Sequence, residues 1–574
     1  MAKLFETLTS AILAVFPEVE AEELVFVPAP KPELGDVALR TFLAAKRVGV
    51  PPPELASRIA DEVAFGPEVL DVSVAGPYVN LRIDRGVFGV RVVAAVLGDG
   101  ERYGSVGAGT GKRALVEHTS INPNASPHVG RARNAMIGDG LVRLLRFEGY
   151  DVCVHYYVND MGRQIGLLVL GIEEKAGDLS SGSAPSIEFD EVLETYVAAN
   201  ARAEQDEAFA EQGYELLARM EQGDPATQRK FHAVTDLCLK GQLAVLARLG
   251  VHYDEFDRES DYVRDERLDA IVGALREKSA VFTDEEGRLV VDLAKLGHEY
   301  DEGRYFVLMR ANGSSMYGYR DLAYTIHKME QGADLNLIVL GEDHKLYAQQ
   351  SSLILQAAGH GGPEPIYYAY IVLKEGKMST RQGKVVLLSD FLDEATERSA
   401  EKVEAQCRDL PPEERKAIAQ QVAVAAVRFA ILRVNPNKNV VFDWESALSF
   451  TGDTGPYVQY SCARIASILR KFGDLPAEVS QEFPIETDTE WSLCMKLAAF
   501  PETVEAALAQ RNCAPIAQYA LETARQFTAF YHECPVLDAP THAQRVARAQ
   551  VCAATRQTLQ NALGLLGIEA LERM

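Results

Sequence analysis

The stretch from Leu115 to Ile165, LVEHTSINPNASPHVGRARNAMIGDGLVRLLRFEGYDVCVHYYVNDMGRQI, constrains this chain more than any other. A short apolar run ends at Val116, and Asn122, Pro123, Asn124, Ser126 and Pro127 then block both helix and strand until Val129-Gly130. From about Asn134 the apolar residues Met136, Ile137, Leu141, Leu144, Leu145 and Phe147 recur at helical spacing, with Arg131, Arg133, Arg143 and Arg146 between them. The order is strand, loop, helix. Such a loop opens onto a helix N-terminus, where unpaired N–H groups and the positive end of the dipole favour an anion. Gly130 has no Cβ to hold a nucleotide off the backbone, and His128 can donate to a phosphate or ribose oxygen. Alone, a His-x-Gly in this setting is a weak signal that a structural turn explains equally well.

The surrounding residues narrow the reading. The segment resembles the HIGH region of class I aminoacyl-tRNA synthetases, with His128-Val129-Gly130-Arg131 in the HIGH position. Glu117, Ser120 and Asn122 in an ExxSxN pattern, the NP turn and the GYDV…YYVND run are similar specifically to arginyl-tRNA synthetases. Arg131 stands where that family has its last histidine. A second element, Glu375-Gly376-Lys377-Met378-Ser379-Thr380-Arg381-Gln382-Gly383-Lys384-Val385-Val386, resembles the KMSKS loop and precedes a helix expected from about Asp390. Thr380 replaces its second lysine. Transfer of an adenylyl group needs cations around the pyrophosphate as charge moves to the leaving group, and Lys377, Arg381 and Lys384 can supply them.

At 574 residues the chain is too long for one hydrophobic core and is expected to hold three or four domains. Residues 1–108 read as a small α/β unit: a helix over 4–15, a helical run from about Pro53, and the strand-like VSVAGPYVNLRI ending near Asp84. Its Gly35-Asp36-Val37-Ala38 matches the GD-x-A segment of the family's N-terminal domain, which implies recognition of the outer corner of tRNA. The glycine-rich Gly104–Lys112 lacks the GKS/T ending and precedes a strand, so it reads as linker. Residues 109–400 form the expected catalytic domain, a doubly wound parallel nucleotide-binding (Rossmann-like) sheet split by a largely helical insertion at about 166–290. Its later strands are expected at Tyr305–Met309, Leu335–Gly341 and Tyr367–Lys374. From 401 to 574 the apolar pattern is helical and suggests a bundle. The tail Leu565–Ile568 with Leu571-Glu572-Arg573-Met574, and the run Phe450–Tyr460, resemble the family's anticodon-binding domain. The fold class is therefore multidomain α/β plus all-α.

Recognising arginine requires holding a guanidinium, a planar fork of donors that pairs best with a fixed carboxylate. Asp321 lies four residues after Tyr317, on one face if both open a helix; an acid favoured by the helix dipole is the other explanation. The resemblance implies that this Tyr-x-x-x-Asp holds the arginine side chain. It implies further that Glu117 meets the cationic groups, that Ser120 and Asn122 meet the main-chain end, and that His128, Asp343 and His344 border the same pocket. ATP is then expected between His128, Gly130, Arg131 and Lys377, Met378, Ser379, with Mg²⁺ and no metal site of the protein's own. The reaction implied is attack of the arginine carboxylate on the α-phosphorus and transfer of arginine to the terminal adenosine of tRNA(Arg). Family members commonly need tRNA even for the first step. Tyr457, Gln459, Tyr460, Trp444 and Asn435 are candidates for reading splayed anticodon bases, with core packing the alternative for each.

The net charge of −25 argues against general nucleic-acid binding and DNA, yet local basic stripes set phosphate affinity. Candidate stripes are Arg131/Arg133/Arg143/Arg146, Lys374/Lys377/Arg381/Lys384, and Arg428/Arg433/Lys438 with Arg464/Arg470/Lys471, each of which can equally be a solvated face. No apolar run approaches the ~20 residues of a membrane span. Leu4–Phe16, broken by Glu6 and Thr7, reads as an amphipathic helix and not as a targeting segment. Eight cysteines without a CxxC pair or a His cluster suggest reduced core thiols in a cytoplasmic protein and no structural zinc, and a monomer is expected because the sequence offers no identifiable self-complementary surface. A paralogue that passes activated arginine to another acceptor, or a tRNA-binding regulator without catalysis, is the alternative that Arg131 and Thr380 keep open.

Overall fold

The computed structural model describes every residue except Met1, Pro30, Ala125, 299–302 and 374–385, and only the backbone of residues 2, 3, 28, 32 and 373. Strands β1 (Val25–Pro28), β2 (Val37–Arg40), β3 (Val69–Ala75) and β4 (Tyr78–Ile83) form an antiparallel sheet in the order β1-β2-β4-β3. The run expected as one strand is a hairpin, because Gly76 takes left-handed backbone (φ +59°) and Pro77 follows it. Helices Ala2–Val15, Phe42–Val48 and Pro52–Glu62 complete this unit. Asp36 of the GD-x-A segment accepts from the Ile83 N–H at 3.0 Å and from Arg85 at 2.9 Å, and Arg85 also reaches Asp488 of the C-terminal bundle. The helix Arg85–Asp99 continues that contact, with Phe88 edge-on to Trp491.

The central sheet contains β5 (Arg113–Glu117), β6 (Asp151–Val158), β7 (Glu255–Arg258), β11 (Leu335–Gly341) and β12 (Glu364–Tyr368), all parallel, in the order β12-β11-β5-β6-β7. The sequence reverses direction beside β5, which places the switch-point crevice between β5 and β11. The helix Val129–Phe147 crosses from β5 to β6. Glycine-rich residues before β5 do not face a ligand: the buried Glu148 carboxylate accepts the Val106 and Ala108 N–H groups.

Three strand assignments differ from expectation, the first being Tyr367–Lys374, which is not one strand: β12 ends at Tyr368, Ile371–Leu373 pairs in a separate two-stranded sheet, and Lys374 lies outside the described residues. β7 lies inside the stretch read as insertion, because its Glu-Phe-Asp-Arg carries only one apolar residue and gives no periodic signal. Tyr305–Met309 (β10) belongs to a separate antiparallel sheet with β8 (Val281–Thr283) and β9 (Leu289–Asp292). Between β6 and β7 stand the helices Arg163–Ala176, Val192–Gln205, Glu207–Glu221 and Pro225–Ala247. Two further short strands, β13 (Ile371–Leu373) and β14 (Val440–Phe442), pair in parallel. The rest is a bundle of Leu388–Gln406, Pro412–Leu432, Gly455–Phe472, Asp488–Ala498, Phe500–Ala509, Ala514–Glu533 and His542–Leu565. Among the described residues no helix is long and apolar enough to cross a membrane. All eight cysteines are free, and all but Cys153 are buried.

Several basic residues offered as phosphate stripes are internal struts instead. Arg133 is wholly buried and donates to the carbonyls of Tyr370 (3.3 Å) and Asn435 (3.2 Å) as well as Ala369. Arg428, also fully buried, donates to Leu249 O at 2.7 Å, Leu566 O at 2.5 Å and the Asp139 carboxylate. Gly567 is needed beside it, since a Cβ there would stand 2.3 Å from the guanidinium. Burial pushes the Asp139 carboxyl up, but Arg428 and Arg143 together hold it below the usual carboxylate range. Removing one partner of a buried pair costs about 3–5 kcal/mol. Arg428→Met should therefore lower the thermal unfolding midpoint by several degrees, while Arg433→Met, which breaks the exposed pair with Asp453, should barely move it. Equal effects in calorimetry would contradict this arrangement.

Candidate active site

A cavity of about 1520 Å³ opens at the carboxyl ends of β5, β6, β7 and β11. Glu117 ends β5, Asn159 follows β6, Glu259 follows β7, and His344 lies just past β11, so each strand contributes the residue at or just beyond its tip. Of the residues singled out from the sequence, Glu117, Ser120, Asn122, Arg131, Tyr317, Asp321 and His344 line it together. Asp343, exposed beside His344, does not line the cavity, and neither do His128 and Gly130, which were expected at the same pocket; of the helix's first turn only Arg131 reaches it.

The chain leaves β5 through strained backbone. Thr119 (φ +83°) and Ser120 (φ +49°) both lie in the left-handed region, which non-glycine residues adopt only when their surroundings impose it. Here the constraints are explicit. The Thr119 N–H donates to Asn134 Oδ1 at 2.7 Å, the Tyr253 hydroxyl donates to Thr119 Oγ1 at 2.6 Å, and Ser120 Oγ donates to Tyr157 O at 2.9 Å. Asn159 bridges Ser120 Oγ and Asn122 Oδ1, each at 3.2 Å, so the polar groups after β5 are held as one set.

One end of the cavity is acidic. The helix Tyr317–Glu330 puts Tyr317 and Asp321 on one face, and the Tyr347 hydroxyl donates to Asp321 Oδ2 at 2.8 Å. Burial pushes the Asp321 carboxyl up to about 6, against the pull of Lys328. Glu117 forms a buried ion pair with Lys328. Glu259, buried against Arg320 at 2.6 Å, is pushed up to about 7 by desolvation. Asn159, Tyr347 and Glu259 are functional candidates the sequence reading missed. Asn159 and Glu259 sit at strand ends and become visible once β6 and β7 are known as neighbours; Tyr347 carries no local signal.

The loop itself lies beside the cavity, which Arg131 lines. His128 is the N-cap of Val129–Phe147 in extended backbone, its ring does not cap the helix, and it lies over Gly130, where a Cβ would come within 3.0 Å of it. Partial desolvation, helped by Arg131, lowers the His128 imidazole below its usual range, so it is neutral at pH 7. His128 forms an antiparallel bridge with Leu387, the Val129 N–H donates to Val386 O at 3.1 Å, and the Leu388 N–H donates to Pro127 O at 2.6 Å. The loop is thereby stitched to the residues directly following 374–385. Lys377, Met378, Ser379, Thr380, Arg381 and Lys384, like Lys374, lie outside the described residues.

In the bundle, packing wins for two of five candidates. Trp444 is buried against Phe391 and Phe442, with centroids at 4.6 and 4.9 Å, and Gln459 is buried and donates to Glu569 O at 2.8 Å; neither presents a face to solvent. Tyr457 is half-buried with its hydroxyl 3.0 Å from Thr528 Oγ1, and Asn435 sits in an exposed turn whose carbonyl accepts from Arg133. Tyr460 remains half-exposed, with Arg464 4.7 Å over its ring and 5.0 Å from that of Tyr531.

Comparison with known proteins covers the whole chain. The family model for the class I (R) tRNA synthetase catalytic domain matches residues 92–444, that of the arginyl tRNA synthetase N terminal domain 2–83, and that of the DALR anticodon binding domain 458–574. The chain is 36% identical to the arginine–tRNA ligase of Methanothermobacter thermautotrophicus and 38% identical to that of Methanosarcina acetivorans, each alignment covering 99% of the chain and 98% of the relative. It superposes on the Thermus thermophilus arginyl-tRNA synthetase with a TM-score of 0.75 at 27% identity, covering all of both chains. The Plasmodium falciparum arginyl-tRNA synthetase shares the fold at a TM-score of 0.78 and 16% identity, covering 100% of this chain and 99% of that one.

The acidic end sets a pH dependence. A guanidinium placed against Asp321, as the sequence reading expects, would favour the ionised form of a carboxyl that burial pushes up to about 6. Affinity for L-arginine should therefore be constant above that pH and fall by about tenfold per unit below it, with proton release on binding. Calorimetric titration between pH 5 and 8 checks this; a flat profile would remove Asp321 from the pocket.

Proposed function

The chain belongs to the arginyl-tRNA synthetase family and is an arginine–tRNA ligase, and we propose that the cavity described above divides its work between an acidic arginine end and a phosphate end. The observation that carries the assignment is the stitching of Pro127–Val129 to Val386–Leu388 next to Arg131, which lines the same cavity as Glu117 and Asp321. Asp321, oriented by Tyr347 and flanked by Tyr317, takes the guanidinium as a paired fork. Glu117 takes the α-ammonium, and Ser120 and Asn122, locked through Asn159, hold the main-chain end. ATP lies along the helix N-terminus, where neutral His128 donates a hydrogen bond, Gly130 allows close approach and Arg131 supplies charge. Lys377, Met378, Ser379, Arg381 and Lys384 are assigned to the phosphates on the strength of their KMSKS-like sequence alone.

The arginine carboxylate oxygen attacks the α-phosphorus in line; the new P–O bond forms as the bond to diphosphate breaks, leaving arginyl-adenylate. The 2′-hydroxyl of the terminal adenosine of tRNA(Arg) then attacks the activated carbonyl, its proton is lost, and AMP leaves. No protein nucleophile takes part, so catalysis is positioning and charge stabilisation. Among the described residues no group of three His, Cys, Asp or Glu side chains is placed to hold a metal. Mg²⁺ is expected to enter with the nucleotide phosphates, the usual way for that ion. The Tyr460–Arg464–Tyr531 cluster offers aromatic and guanidinium planes for anticodon bases, with Tyr457 and Asn435 as further candidates. The enzyme acts in the cytoplasm as a monomer.

Charging of total tRNA with each of the twenty labelled amino acids tests this, alongside pyrophosphate exchange with and without tRNA. Arginine alone should be charged. Asp321→Ala should raise KM for arginine by about 10²–10³, the loss expected for a desolvated ion pair, whereas Lys377→Ala should slow adenylate formation with arginine affinity little changed. Tight tRNA binding without charging would overturn the ligase reading.

A further inference from the structure

Lys328 belongs to the acidic end by its pairing with Glu117, yet it does not line the cavity. Tyr317, Asp321, Thr325 and Lys328 recur at helical spacing along one face of Tyr317–Glu330; the first three line the cavity, and Lys328, with 1% of its side chain exposed, lies behind the lining. Its ammonium stands 4.3 Å over the Tyr324 ring and engages Oε2 of Glu117. A buried ammonium is costly unless paired, and so is a buried carboxylate. We propose that Lys328 is a positioning residue for the arginine substrate: it fixes Glu117 as an acceptor and trims the pocket's negative charge to what one arginine balances. This rests on the arginine-pocket reading above.

The charge count gives the reason. Glu117, Asp321, Glu259 and, 3.9 Å from Arg320, Glu221 face Lys328, Arg320 and the cavity-lining Arg310, so four carboxyls meet three cations and a single net negative charge is left when all are ionised. Free arginine, with guanidinium, ammonium and carboxylate, carries a single net positive charge. The groups that act on Asp321 are Glu117 from β5, Tyr157 from β6, Glu259 after β7, Tyr347, and on its own helix Tyr317 and Lys328. Of these Lys328 is the cation, and it opposes both burial and the repulsion from Glu117. Without it two like charges share a desolvated site, and one takes up a proton near neutrality. A protonated Asp321 donates where the guanidinium needs an acceptor.

The test follows kcat/KM for arginine from pH 5 to 8.5 in the aminoacylation reaction, with KM for ATP measured alongside. Lys328→Met should raise KM for arginine about tenfold or more at pH 7, leave KM for ATP within about twofold, and move the acid limb up by about one pH unit. Lys328→Arg should restore the limb. Glu117→Gln should move it the other way, because the carboxylate that repels Asp321 is gone while the ammonium stays; this arm holds even if Lys328→Met fails to fold. A limb that stays in place in Lys328→Met, or rises in Glu117→Gln, would make Lys328 a structural residue only. Asp321→Asn separates the two readings: arginine KM unchanged there removes the pocket itself, while a raised KM there with an unmoved limb in Lys328→Met removes only the role of Lys328.

Discussion

The guanidinium of Arg428 is the point on which the domains converge. It is wholly buried, and its three donor positions reach Asp139 on the helix behind the nucleotide loop, Leu249 O at the end of the inserted helical block, and Leu566 O at the C-terminal tail. A planar fork is satisfied by one geometry, and an unpaired buried guanidinium or Asp139 would be expensive. The helix that presents His128 and Gly130 is therefore held in register with the bundle that carries Tyr460 and Arg464. Arg143 reinforces this from the same face, donating to Asp139 at 2.7 Å and to Gly250 O at 3.0 Å. The N-terminal unit closes onto the bundle through Arg85 and through Tyr103, which donates to Leu497 O at 2.8 Å.

With that frame set, the cavity's chemistry is one of charges placed in advance. Strained backbone at Thr119 and Ser120 is tolerated because Asn134, Tyr253 and Tyr157 over-determine it, and it turns the strand-end polar groups toward the crevice. Carboxylates gather at one end, and the helix N-terminus lies beside the cavity. The groups are aligned before substrates arrive, which suits a reaction with no covalent enzyme intermediate, since little reorganisation remains for the transition state.

Much of the fold was legible in local pattern. The strand–loop–helix from Leu115 and the helices at the C-terminal end are strongly periodic, and the observed helices Val129–Phe147, Tyr317–Glu330 and Gly455–Phe472 lie where spacing puts them. β7 was not legible, because Glu-Phe-Asp-Arg carries almost no hydrophobic signal and owes its strand state to pairing with β6. β10 was legible as a strand but not as a member of a different sheet, since periodicity gives a strand's state and says nothing of its partner. Basic residues were legible as charges but not by location: Arg133 and Arg428 look like phosphate contacts in a string and are buried struts in space.

The sequence by itself determined the chemistry: which residues can carry phosphate, guanidinium and base recognition, and the order of the elements that bear them. These follow from residue type and short-range spacing. Only the tertiary structure decided which of them meet. Glu117 and Lys328 are 211 positions apart and Asp139 and Arg428 are 289 apart, and no local rule links them. Glu259 and Tyr347 join Asp321 only because β7 and the helix Lys345–Ala357 are brought to the same crevice. Trp444 and Gln459, suited by type to read bases, are withdrawn because the bundle needs them for its own packing and tail. Long-range burial, which depends on all the elements at once, made those choices.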